Sequence, residues 1–149
     1  MKTFLSIILL ALSFTASSQW ITKNIDNGFD DPYHIAYTSD GQDSYLKLEN
    51  VDGKIYFYLG GGYTCSDELT VDISFIVNGA YAKYTFNAVS SEDRKNVFFV
   101  SDLLNETCLA DFKACSSLKI RINDSLCETE IYTFNMSGST AALKYVINQ

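Results

Sequence analysis

The densest group of proton-carrying side chains in this 149-residue chain is Asp30-Asp31-Pro32-Tyr33-His34, with Asp26 close by. These residue types suit a histidine base oriented by an aspartate, or carboxylates gathered around calcium. For nucleophilic catalysis His34, the only histidine, needs an activated Ser or Cys within reach. No GxSxG turn supplies one, since Gly138-Ser139 lacks both flanks of that motif. An EF-hand loop needs Gly at its sixth position, where a loop counted from Asp26 has Asp31. The segment reads as a solvated acidic loop entering a strand. No catalytic, cofactor or metal residue is assigned, and Asp30, Asp31 and His34 are kept as candidate contact residues for a ligand or partner.

Gly60-Gly61-Gly62 resembles a phosphate cradle only in composition. Such a cradle leads into a helix N-terminus, usually with Lys-Ser/Thr after it. Here Tyr63-Thr64-Cys65 and a strand follow, so a loop or bulge is expected. Tyr56 and Tyr58 share one strand face, and Ile55, Phe57 and Leu59 share the other. Rings with an apolar body and a polar edge suit contact with a glycan or a protein, although tyrosines also simply cover antiparallel sheets.

Cys65, Cys108, Cys115 and Cys127 form an even set. In an oxidising compartment they read as two disulfides; a four-thiolate zinc site is the weaker reading because no CxxC pair is present. If residues 109 to 116 are helical, Cys108 and Cys115 stand ~10 Å apart along the axis, beyond the roughly 7 Å Cα limit for a bridge. The helix would run antiparallel to the following strand and bring Cys108 near the hairpin tip that carries Cys127. The expected bridges are therefore Cys108–Cys127 and Cys65–Cys115.

The elements that must position these residues are mostly strands. Leu69, Val71, Ile73, Phe75 and Val77 alternate with polar residues up to Asn78-Gly79, a type I′ turn signal, and Ala80, Ala82, Tyr84 and Phe86 alternate on the return. A second hairpin joins Tyr45–Glu49 to Lys54–Leu59 across Asp52-Gly53, and a third joins Leu118–Ile122 to Glu130–Phe134. Trp20–Ile25, His34–Thr38 and Val97–Val100 are shorter strand candidates. Ser101-Asp102 are capable N-caps for a helix carrying Leu103, Leu104, Leu109 and Phe112, and a short helix is expected from Ala141 to Val146. This pattern predicts a mainly β fold: an antiparallel sandwich or open barrel with one or two short helices.

The N-terminus gives an address. Met1-Lys2-Thr3 is a short positive start, 4–14 is an apolar run too short to span a bilayer, and small residues at Ala16 and Ser18 fit cleavage before Gln19. Residues 1–18 are therefore expected to be a signal peptide, and residues 19–149 a single β-rich domain, secreted or periplasmic. Lys2 lies in the leader, so the remainder carries 10 basic and 18 acidic side chains. That acidity excludes nucleic acid and anionic membrane surfaces better than it names a partner. The leader and the Asn/Ser/Thr-rich composition read as bacterial.

An early Trp20, the Asp30-Asp31 pair before a strand, the hairpin LTVDISFIVNG (69–79), a short helix feeding LKIRI (118–122) and the closing FNMSGSTAAL (134–143) occur in that order. This arrangement resembles small exported bacterial proteins of the type VI secretion-associated VasI kind and, more distantly, the invasion-associated locus B family. The resemblance implies a β-sandwich-like periplasmic or secreted domain without known catalytic residues. The chain departs from that pattern by lacking a C-terminal Cys and by inserting Leu103–Cys108 before the helix. The function expected is a non-catalytic binding protein for an unknown protein or glycan. The alternatives are a small hydrolase pairing Asp30 or Asp31 with Asp72 or Glu68, or a secreted enzyme inhibitor.

Overall fold

The structure, a computed structural model, describes residues 20–28 and 31–148. The expected leader, its cleavage point and Asp30 lie outside the described residues. Among the described residues nine strands form one antiparallel sheet: β1 (Ile21–Ile25), β2 (Tyr33–Ser39), β3 (Tyr45–Val51), β4 (Lys54–Gly60), β5 (Glu68–Val77), β6 (Ala80–Ser90), β7 (Asn96–Phe99), β8 (Ser117–Asn123) and β9 (Glu130–Asn135). Two helices follow from the same sequence signals, α1 (Leu109–Ala114) and α2 (Ser139–Ile147).

Turn chemistry sets the register. Asp52-Gly53 and Asn78-Gly79 take positive φ (52° and 78°, 50° and 80°), so Val51 faces Lys54 and Val77 faces Ala80 across two-residue turns. Alternation then sends one side chain set inward. In β5, Leu69, Val71, Ile73 and Phe75 are buried while Glu68 and Thr70 are exposed, and β8 repeats the pattern with Leu118, Ile120 and Ile122.

The strand order is β1-β2-β3-β4-β7-β6-β5-β8-β9, so β4, β5, β6 and β7 form a Greek key. The connection over residues 61–67 crosses the β6–β7 hairpin, bonding to it through Gly61 N–H to Lys95 O and Thr64 N–H to Arg94 O. The glycine run serves this crossing. A Cβ at Gly60 would lie 2.1 Å from the Tyr45 ring, and Gly61 has φ 80° with its Cβ position 2.4 Å from the Asp43 carbonyl oxygen.

Phe112 of α1 organises the core. Its ring centroid lies 5.4 Å from that of Phe57 on β4, 6.4 Å from Phe75 on β5 and 6.4 Å from Trp20. β4 and β5 are three strand spacings apart, about 14 Å in a flat sheet, so the sheet curls round this ring. At its far ends β9 touches β2 without pairing. The sheet is thus an open barrel, with Leu143 and Val146 of α2 completing the buried side.

Two expectations are corrected. The helix expected from Leu103 breaks into a 3₁₀ turn (Leu103–Asn105) and α1, because Asp102 caps the short turn and also accepts the N–H of Ile55 at 2.9 Å. That second bond pins the turn to β4, and the chain restarts at Cys108. The disulfide is Cys65–Cys127, with a Cα separation of 5.7 Å, and not Cys108–Cys127 with Cys65–Cys115. The reason is strand pairing: Thr70 faces Asn123, so the start of β5 and the end of β8 lie side by side and bring Cys65 to the β8–β9 loop. Cys108 and Cys115 flank α1 as buried free thiols, two helical turns apart. Burial pushes their thiols up to about 11 and about 12 respectively, and Cys115 Sγ donates to the Phe112 carbonyl.

Candidate functional site

His34 and the tyrosines named from the sequence face opposite sides of the sheet. Asp31 is exposed ahead of β2. His34 alternates with Tyr33 and Ile35 and so faces α2, where its ring stacks on Tyr145 at 4.4 Å. Its Nδ1 lies 3.0 Å from the Tyr145 carbonyl oxygen. A carbonyl only accepts, so the proton of this bond sits on Nδ1 and the ring fastens β2 to α2. Asn50 does the same from β3, donating to the Val146 carbonyl at 3.1 Å.

Tyr56 and Tyr58 stand on the opposite, outer face, and the register extends them into a patch. Lys47 faces Tyr58 and Glu49 faces Tyr56 across β3–β4; Tyr37 and Ile35 follow on β2, and Phe98 on β7. Lys47 Nζ lies 4.2 Å from the Tyr58 ring centroid and 2.8 Å from the Glu49 carboxylate. Phe98 meets Tyr58 edge-on at 4.8 Å, and Lys23 lies 5.3 Å from the Tyr37 centroid. Burial, followed by the charge and hydrogen bond of Glu49, pushes the Tyr58 phenol up to about 12, so it is neutral and donating at any physiological pH. Tyr33, Tyr37, Tyr56, Tyr58 and Phe98 are all half-buried among one another. Ile21, Val51 and Val89 border them on the same face and are 47%, 42% and 40% exposed.

The carboxylates considered for hydrolysis are arranged differently. Asp72 accepts from Thr85 Oγ1 at 2.6 Å and from the Arg121 guanidinium. The Thr85 hydrogen bond first, then those of Arg121 and Asn123, hold its carboxyl down at about 2. Glu68 is four residues away on the same strand face, ~13 Å along the strand. A general acid would need the opposite shift.

Asp124 was missed from sequence. It accepts the N–H of Cys65 at 2.6 Å, of Ser66 at 3.0 Å and of Leu126 at 2.9 Å, and the Ser66 hydroxyl at 2.6 Å. Burial opposes its ionisation, but these four bonds outweigh it and hold the carboxyl well below the usual range. Cys65, Asp124 and Cys127 are ligand types grouped within 4.8 Å. The two sulfurs are joined and the carboxylate is committed to N–H and O–H donors, so the group acts as a clasp between the 61–67 crossing and the β8–β9 loop.

No protein-family model, curated protein or solved structure matches this chain.

Proposed function

We propose that this chain is an exported, non-catalytic binding protein that engages a protein partner through the outer aromatic face of β2, β3, β4 and β7. The observation that carries the reading is the patch itself. Five rings from three strands stand half-exposed on the side of the sheet away from the core, bordered by exposed Ile21, Val51 and Val89. Clustered aromatic rings with exposed aliphatic neighbours are the enriched composition of a protein interface core. The aliphatic border favours a protein over a sugar, whose hydroxyls gain nothing from it. Export rests on the leader sequence 1–18, and the Cys65–Cys127 bridge supports it because such bonds persist in oxidising compartments.

The test is quantitative capture from the envelope and culture-supernatant fractions with the wild-type chain and with a Tyr56→Ser/Tyr58→Ser variant whose fold is checked by circular dichroism. The expected result is one saturable protein partner whose affinity falls about a hundredfold in the variant, the loss of roughly 2–3 kcal/mol typical of an aromatic anchor pair. Equal capture by a folded variant, or saturable binding to a glycan in place of a protein, would overturn the assignment.

A further inference from the structure

Away from the aromatic patch, a second set of outer-face side chains converges on one point. Ser74 on β5 lies directly opposite Lys83 on β6 and Lys119 on β8. Two residues along, Asp72 lies between Thr85 and Arg121 in the same way. These residues, with Ile131, line a depression of about 400 Å³. Adjacent strands are about 4.8 Å apart, so the two lysine Cα atoms are roughly 10 Å apart with Ser74 midway. Both ammoniums can therefore reach a single group seated over Ser74.

The charges there are not balanced. Arg121 is paired with Asp72, but neither Lys83 nor Lys119 has a carboxylate partner among the described residues. Among the described residues Asp72 is the only acidic one lining the depression, which leaves it net positive by two in a chain whose formal charge is −7. A strongly acidic protein that gathers three of its 11 basic residues around one depression has a local preference opposite to its global one. The second observation is independent of charge. The Ser74 hydroxyl is shielded from solvent and has no hydrogen-bond partner among the described residues. A buried donor without an acceptor is costly unless something supplies the acceptor.

We propose that this depression binds a tetrahedral oxyanion, the phosphate or sulfate group of a free ion or of an ester. Lys83 and Lys119 supply charge from the two sides, Arg121 offers the N–H groups that Asp72 leaves free, and Ser74, whose hydroxyl is covered in the empty depression, donates from beneath once the flanking side chains draw toward the anion. Donors that arrive from three directions match the three or four oxygens of a tetrahedral ion better than the two of a planar carboxylate. Asp72 and Thr85 are positioning residues, since they orient Arg121 and need not touch the anion.

The experiment is calorimetric titration of the folded chain with sodium sulfate, sodium phosphate and sodium acetate at constant ionic strength. Sulfate and phosphate should bind saturably at one site, and Lys83→Gln/Lys119→Gln should weaken both by about tenfold or more. Ser74→Ala leaves every charge in place, and should weaken sulfate binding severalfold while the unfolding midpoint stays the same or rises. A sulfated or phosphorylated oligosaccharide that binds more tightly than the inorganic ion places the group on an ester; equal affinity places it on the free ion. Absence of saturable binding, unchanged affinity in the double lysine variant, or acetate binding as tightly as sulfate would each overturn the proposal.

Discussion

Cys65→Ser/Cys127→Ser is the substitution with the most calculable consequence. The bridge spans 62 residues of sequence, so it closes a loop that takes in β5, β6, β7, α1 and β8. Loop-closure entropy for that length is about 14 cal/mol/K, which is about 4 kcal/mol at 25 °C. For a domain of roughly 130 residues with an unfolding entropy of ~2.1 cal/mol/K per residue, the loss corresponds to a fall of about 15 °C in Tm. Against a typical total of 5–15 kcal/mol, that is between about a quarter and four-fifths of the margin. Urea unfolding of the oxidised wild type and the variant measures the difference. Thiol counting measures the number of bridges behind it: no rapid reaction in the native chain, two thiols on denaturation without reductant, and four with reductant. The native thiols should be slow because burial raises both and keeps them protonated. A denatured, unreduced chain with no free thiol would refute the single bridge, and a non-reducing peptide map without a Cys65–Cys127 peptide would refute the pairing. A stability loss below 1 kcal/mol would refute the entropic account.

Phe112→Ala should cost about 3–5 kcal/mol by denaturant unfolding, since it empties the space between Phe57, Phe75 and Trp20; a loss below 1 kcal/mol would mean that the sheet does not curl round this ring. His34→Ala should cost about 1–3 kcal/mol, the combined range for a hydrogen bond and a stacked pair, and should speed amide exchange in α2 before it does so in β5. Asp124→Asn at pH 7 should cost about 1–3 kcal/mol, because an amide oxygen replaces a carboxylate that accepts four bonds. The folded Asp124 carboxyl titrates below its unfolded value, near 3.9. Its contribution is therefore complete above about pH 4 and disappears as the pH falls through the folded pKa. Wild-type stability should drop in that acid range, and the Asn variant should drop less; parallel acid profiles would remove Asp124 from the account.

The hairpins were readable because each is a local object. Asn78-Gly79 and Asp52-Gly53 fix two-residue turns, and alternation on either side fixes which residues go in. What joins the hairpins was not readable. That β4 pairs with β7, and β5 with β8, depends on a seven-residue crossing and on Phe112 gathering rings from strands that are distant in sequence. The incorrect disulfide expectation follows from that gap. It placed Cys108 by the direction of its own helix, whereas Cys65 reaches Cys127 through a β5–β8 pairing that no local pattern encodes.

The same division separates the surface residues that were legible from those that were not. Tyr56 and Tyr58 stood out because they lie on one strand, i and i+2, and the structure only had to add Tyr37 and Phe98 from the neighbours. Ser74, Lys83 and Lys119 lie 9 and 36 residues apart and become adjacent only once β5 has a neighbour on each side. His34 shows the limit of reading clusters along the chain. It follows the aspartates in sequence, yet the strand period turns its ring inward, where it binds the Tyr145 carbonyl, while Asp26 and Asp31 stay exposed. A polar cluster in sequence is thus a weak guide here, because successive strand residues face opposite sides of the sheet. Residues that share a face are two apart on one strand or paired across two, and both surfaces proposed for binding are built that way.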